Sequence, residues 1–128
     1  MLRLSNVQTF YGNVQVLKDL SIEVSEGEII TLIGANGAGK TTTLMSISGI
    51  VPPRTGEILF DDKPIQNLSP DDIVASGISL VPEGRRIFPR LTVMENLDMG
   101  AFLRRDKAEI KKDINHIFEL FPILAERR

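Results

Sequence analysis

Eight consecutive residues, Gly34-Ala35-Asn36-Gly37-Ala38-Gly39-Lys40-Thr41, satisfy the phosphate-binding pattern G-x-x-x-x-G-K-[ST] at each of its fixed positions. A loop that wraps a polyphosphate must turn successive backbone N–H groups inward, and glycines permit the positive φ angles and the close approach this requires. A lysine at this spacing reaches the β- and γ-phosphates. The hydroxyl of the threonine after it completes the coordination of a Mg²⁺ ion that bridges those phosphates. Lys40 and Thr41 are expected in those two roles, and Thr42, Thr43 and Leu44 continue as a helix whose positive N-terminal dipole favours the same anions. The chemistry predicted is the holding of a nucleoside triphosphate.

A loop of this kind needs a strand before it and a helix after it. Glu28-Ile29-Ile30-Thr31-Leu32-Ile33 is an apolar, β-branched run that predicts a buried parallel strand. The helix after Lys40 is expected to end near Gly49, and Pro52-Pro53-Arg54-Thr55-Gly56 forces a loop. Without that context the same residues would be a glycine-rich turn that happens to precede Lys-Thr.

Elsewhere the chain supplies further elements. Residues 2–24, interrupted at Tyr11-Gly12-Asn13, predict two or three antiparallel strands, and Ser25-Glu26-Gly27 turns the chain into the loop strand. Glu57-Ile58-Leu59-Phe60 and Lys63-Pro64-Ile65 flank Asp61-Asp62 as the arms of a hairpin. Ser69-Pro70-Asp71-Asp72 opens a short helix closed by Gly77, and Ile78-Ser79-Leu80-Val81 predicts a second buried strand. Thr92-Val93-Met94-Glu95 is a capping-box pattern, for a helix to about Leu103. Ile110, Ile114, Ile117, Phe118 and Phe121 then form one face of an amphipathic helix whose other face is charged.

Composition narrows the class. The 128 residues are enough for one domain with a core, and the hydrophobic share of 42% and charged share of 25% are ordinary. A formal net charge of -2 gives no strong electrostatic pull toward nucleic acid or an anionic membrane, and no nucleic acid is expected as a partner. Cysteine is absent, which removes disulfides and thiolate metal sites and suits a cytosolic setting. The residues after Met1 do not have the form of a signal peptide, and no apolar run has the length of a membrane span.

Four landmarks in order carry a resemblance: Leu4-Ser5-Asn6-Val7 with Tyr11-Gly12, the phosphate loop, Thr55-Gly56-Glu57-Ile58, and the run from Val81-Pro82-Glu83-Gly84 to Met94-Glu95-Asn96-Leu97. Over essentially its whole length the chain resembles the ATP-binding subunit of an ABC transporter, most narrowly that of bacterial branched-chain amino-acid importers. The resemblance implies an α/β fold, a P-loop NTPase core with an N-terminal antiparallel β subdomain. It also implies ATP and Mg²⁺ as ligands, a transmembrane permease and a second ATP-binding subunit as partners, and a cytoplasmic place on the inner face of the membrane. Residues 1–128 are expected to be the N-terminal part of one nucleotide-binding domain.

The same resemblance assigns side chains. Tyr11 matches the aromatic on which the family stacks adenine, with Val16 on the next strand packing beside it; the other reading of Tyr11 is an aromatic capping the sheet. Glu83 stands where most of the family carries the glutamine that meets the metal and the attacking water, and the branched-chain group often has glutamate there. It is thus implied as a catalytic and metal-side residue beside Lys40 and Thr41, against the plainer reading of a solvated loop carboxylate. Arg85, Arg86, Phe88 and Leu91, with Pro89 and Arg90, correspond to the region that docks the permease's coupling helix, or else form a solvated charge cluster over a small core plug.

Two further features need a place. Ile58-Leu59-Phe60-Asp61-Asp62 has the form of a Walker B strand ending in a Mg²⁺-holding acid, but Pro64 and Ile65 at turn distance favour the hairpin. His116, the sole histidine, falls in the C-terminal amphipathic helix and reads as a surface residue.

No signature motif like Leu-Ser-Gly-Gly-Gln, no Walker B strand with its catalytic glutamate and no switch histidine occurs in these residues. The resemblance therefore implies an incomplete cassette. The complete protein is expected to be an ATPase driving import, while this stretch binds ATP without turnover and self-associates through unpaired strand edges. The competing readings are another P-loop NTPase, such as a nucleotide kinase or a GTPase, and a non-catalytic nucleotide-binding interaction module.

Overall fold

The computed structural model describes every residue from Met1 to Arg128 except Asn36 and Ala38, so the phosphate-cradling roles expected of those two lie outside the described residues. The described residues form two compact units, Met1–Val81 and Pro82–Arg128.

The first unit is built on a four-stranded antiparallel sheet. Strand β1 (Leu2–Tyr11) turns at Gly12-Asn13 into β2 (Val14–Val24), so that Tyr11 faces Val14. Gly12 has φ +61, a conformation that costs glycine little. On its other edge β1 pairs with β3 (Thr55–Phe60), which pairs with the short β4 (Lys63–Pro64) in the order β2-β1-β3-β4. Two strands therefore arise from residues 2–24.

Asp61 and Asp62 carry φ +48 and +65, positive at both central positions as the tightest hairpin turns require. Leu59 faces Pro64 and Phe60 faces Lys63. The Walker-B-like run is thus a hairpin arm and its turn.

Bulges shape the sheet. Between the pairs Leu4 with Ile22 and Val7 with Leu20, β1 carries one extra residue; there Asn6 has φ +50 and donates its N–H to Ser21 Oγ at 3.0 Å. One step on, β2 carries the extra residue, where Asp19 has φ +51 and its carboxylate accepts from Gln8 Nε2 at 2.6 Å. Gly56 crosses β1 at the first bulge with φ +98, and a Cβ there would lie 2.5 Å from the Asn6 carbonyl oxygen and 2.6 Å from Val7 Cα. Only glycine lets β3 approach β1 this closely.

Leu4, Val7, Leu17, Ile58, Ile65 and Ile73 form the buried core, with Leu2, Leu20, Ile22, Ile47, Phe60 and Ile78 packed around them. Helix α1 (Lys40–Ile47) ends at Ser48, and Gly49 follows with φ +82 against Ile73. Helix α2 (Pro70–Ser76) has Ser69 as its cap, accepting from the Asp72 N–H at 3.3 Å, and Gly77 closes it with φ +116.

Two expectations fail. Residues 28–33 do not form a strand, and Ile29 and Ile33 are each 93% exposed. Residues 78–81 are not a strand either; Ile78 touches the core but Val81 is 91% exposed. An apolar β-branched run favours extended backbone, but a strand exists only when a neighbour takes its N–H and C=O groups. Among the described residues no strand pairs with either segment.

The second unit is helical. Helix α3 (Val93–Gly100) opens on a complete capping box: Thr92 Oγ1 accepts from the Glu95 N–H at 3.1 Å, and the Glu95 carboxylate accepts from the Thr92 N–H at 3.3 Å. It stops three residues before the expected Leu103, the chain leaving through tighter turns in which Ala101, Phe102 and Arg104 bond carbonyls three residues back.

Helix α4 (Lys107–Leu120) is the expected amphipathic helix, and it carries His116 on its surface with Nδ1 3.8 Å from the Glu119 carboxylate. It ends at Phe121 because Pro122 excludes the helical conformation from the residue before it; Pro122 then starts α5 (Pro122–Arg127) at the position where proline fits best. Arg104 braces the start of α4 through bonds of 2.6 Å to both Asp106 and Asp113. That hold draws the Asp106 carboxyl below its ordinary pKa, chiefly through the Arg104 hydrogen bond.

Candidate functional site: the phosphate loop

The loop is anchored from beneath by β2 and from behind by β1. Gly39, with φ +91, starts α1, and a Cβ there would lie 2.8 Å from Leu17 Cδ2 and 3.8 Å from Val16 Cγ1. Gly37, with φ +87, faces open space. Both glycines adopt the left-handed conformation that glycine accommodates at little cost. The Lys40 ammonium donates to the Gly34 carbonyl, so the last fixed residues of the motif reach back to the first. Gly34 and Ala35 are exposed in the approach to this bend.

Helix α1 presents Thr41 on its exposed first turn, while Thr42 and Thr43 are buried. Thr43 Oγ1 donates to the Gly39 carbonyl at 2.7 Å, bracing the junction of loop and helix. One turn further on, Ser46 Oγ lies 2.8 Å from Thr9 Oγ1 of β1, with both side chains buried. This bond fixes the helix, and with it the loop, to the central strand. The pair was not apparent in the sequence; the available signal was a serine and a threonine at otherwise core-facing positions.

Tyr11 leans over the same helix. It is 46% exposed, and its hydroxyl lies 3.3 Å from Thr42 Oγ1. Tyr11, Val16, Gly39, Lys40 and Thr42, expected in one site, are therefore gathered around the first turns of α1. Arg54, which the sequence showed only as part of a loop, holds the hairpin end: its guanidinium stacks 3.8 Å from the Phe10 ring centroid and donates to the Gly12 carbonyl at 2.8 Å.

The residues suit a magnesium-bound triphosphate. Gly39 caps α1 without a side-chain hydrogen bond, the first turn contains no acid, and the Lys40 ammonium sits at the bend. An anion would meet N–H donors, a helix dipole and a lysine together. Among the described residues there is no cluster of three His, Cys, Asp or Glu side chains that could hold a metal by itself.

The other expected residues belong to the second unit. Glu83 is exposed, and its carbonyl accepts from Arg86 Nε at 3.3 Å. Arg85, Arg86 and Arg90 are exposed, as are Ile87 and Phe88, and Leu91 is half-buried. The side chain of Asn96 bonds this loop throughout its second half, a role not assigned from the sequence. Among the described residues no helix is long and apolar enough to cross a membrane.

Comparison with known proteins gives these residues a setting. The family described as ABC transporter matches residues 17–127. The high-affinity branched-chain amino acid transport ATP-binding protein BraG of Pseudomonas aeruginosa is 47% identical over 127 residues, covering 99% of this chain and 54% of that protein. The sn-glycerol-3-phosphate import ATP-binding protein UgpC of Bordetella avium is 33% identical over 124 residues, covering 94% of this chain and 34% of that protein.

Among solved structures, the ATP binding subunit of an ABC transporter superposes with a TM-score of 0.87 at 28% identity, covering 99% of this chain and 52% of that one. A dimeric ATP-binding cassette in a post-hydrolysis state, bound to ADP and Pi, superposes with a TM-score of 0.74 at 25% identity, covering 90% of this chain and 55% of that one. The chain spans about half the length of these relatives, or less. With the loop, the helix that ties it to the sheet and the match over residues 17–127 taken together, the chain belongs to the ABC transporter family.

Proposed function

We propose that residues 1–128 are the N-terminal part of the nucleotide-binding domain of an importer's ATP-binding subunit, and that they hold Mg²⁺-ATP on the loop from Gly34 to Thr41. The observation that carries this is Lys40 reaching across the loop to Gly34 at the start of α1, with Tyr11 beside the same helix. Lys40 would meet the terminal phosphates, Thr41 would face the ion, and Tyr11 with Val16 would support the adenine. Bound Mg²⁺ would neutralise charge on the phosphates.

The complete protein, in this reading, hydrolyses ATP on the cytoplasmic face of the membrane, paired with a second ATP-binding subunit and a permease. Similarity to BraG favours branched-chain amino acids as cargo. The residues that family members use to complete hydrolysis do not occur among these 128, so this stretch by itself binds ATP without turning it over.

Competition between Mg²⁺-ATP and Mg²⁺-GTP tests the reading. Adenine stacking on Tyr11 predicts that ATP wins and that Tyr11→Ala weakens ATP by roughly tenfold, the lower part of the range for base–aromatic stacking. A preference for GTP, or phosphate release that depends on Lys40 from the 128-residue polypeptide, would overturn it. For the cargo, the complete polypeptide should restore leucine uptake to cells lacking their own branched-chain ATP-binding subunit.

A further inference from the structure

In the second unit, one side chain carries the geometry of an entire loop. Asn96 Oδ1 accepts from the Phe88 N–H at 2.9 Å, while Nδ2 donates to the Thr92 carbonyl at 2.9 Å and the Phe88 carbonyl at 3.1 Å, with the Leu91 carbonyl at 3.4 Å. The Leu91 N–H adds one backbone bond, also to the Phe88 carbonyl. A carboxamide supplies one acceptor and two donors, and here all are directed at backbone between Phe88 and Thr92. Asn96 is itself set by the capping box that starts its helix, four residues after Thr92.

The loop so fixed has no core of its own to hold it. Every residue from Val81 to Arg90 is exposed, and at its tip Ile87 and Phe88 are 63% and 52% exposed beside Arg85, Arg86 and Arg90. Acids at its two ends are Glu83, outside the arginine run, and Glu95, whose carboxylate accepts from the Thr92 N–H. The tip is therefore an aromatic and an aliphatic side chain flanked by guanidinium groups. Such a surface is complementary to an apolar side chain flanked by carboxylates.

We infer that Asn96 is the positioning residue of this surface, fixing the 88–92 loop so that Phe88 is presented in one conformation to a permease segment bearing an apolar side chain flanked by carboxylates. The inference rests on residues 85–91 being the permease-docking surface. Without the carboxamide the loop must order itself on binding, and that cost appears as lost affinity.

The test uses the complete ATP-binding subunit with the permease of a branched-chain amino-acid importer in nanodiscs, measuring ATPase stimulation against permease concentration. Asn96→Asp keeps the acceptor for the Phe88 N–H but removes the donors, and Asn96→Ala removes both. Each should raise the permease concentration for half-maximal stimulation by roughly tenfold, as loss of a preorganised anchor does, while the maximal stimulated rate is kept. Replacing the permease's flanking carboxylates with amides should weaken docking of the native subunit similarly.

A lower maximal rate with an unchanged half-maximal concentration would make Asn96 only a fold-supporting residue and would overturn the inference. Phe88→Ser separates the two levels. If it weakens docking but Asn96→Asp does not, the positioning role falls and the docking surface stands; if Phe88→Ser has no effect, the docking surface itself falls.

Discussion

The hydroxyls of Thr9 and Ser46 lie 2.8 Å apart in a buried contact that joins the central strand to the helix of the phosphate loop. Removing one partner leaves the other desolvated and unbonded. Ser46→Ala should therefore cost about 1–3 kcal/mol, and Thr9→Val added to it should recover part of that loss. Urea unfolding of the two variants against the native chain measures both terms; a double variant less stable than Ser46→Ala by the full cost of a second lost bond would contradict the pairing.

Two glycines with similar backbone should respond differently. Gly12 and Gly56 both have positive φ, but a Cβ at Gly12 meets nothing within 4 Å, whereas at Gly56 it meets the backbone of Asn6 and Val7. Gly12→Ala should cost only the conformational strain, about 1–2 kcal/mol. Gly56→Ala adds an overlap that flexible side chains cannot absorb, for about a further 1–3 kcal/mol. Thermal denaturation should rank Gly56→Ala clearly below Gly12→Ala.

Much of this was legible in the sequence where the signal is local. Ser69 and Thr92 cap their helices as their spacing predicts, and Asp61-Asp62 forms the expected turn, because caps and turns need only a few neighbouring residues. Residues 28–33 and 78–81 misled because a strand is a property of two segments, and propensity describes one. The bulges at Asn6 and Asp19 were equally hidden, since they depend on register between strands. Asn96 left a trace: asparagine inside a helix is unfavourable enough that it calls for a bonding partner, and the nearest backbone was the loop before it.

The exposed apolar segments carry a consequence. Ile29, Ile33 and Val81 present bare side chains on backbone that no strand pairs among the described residues. A polypeptide of these 128 residues should self-associate in sedimentation velocity experiments, and Ile29→Lys with Ile33→Lys should shift it toward monomer. A native monomer across the micromolar range would refute this.

The Arg104 cluster predicts a pH effect with a definite sign. The Asp106 carboxyl is held below the ordinary carboxylate range by the Arg104 hydrogen bond. A depressed carboxylate stabilises the folded state above its unfolded pKa, and that contribution disappears as the pH falls through the folded value. Arg104→Gln should return the Asp106 titration, followed by carboxyl NMR, toward the ordinary range, and should lessen the loss of stability on acidification. An unmoved Asp106 titration would show that another group sets it.

The central claim is that the loop from Gly34 to Thr41 holds the triphosphate through Lys40, and calorimetric titration with Mg²⁺-ATP tests it most directly. Removing one charge-assisted contact predicts that Lys40→Ala binds roughly 10–100 times more weakly while remaining folded by circular dichroism. Equal affinity in the native and Lys40→Ala proteins would contradict the account.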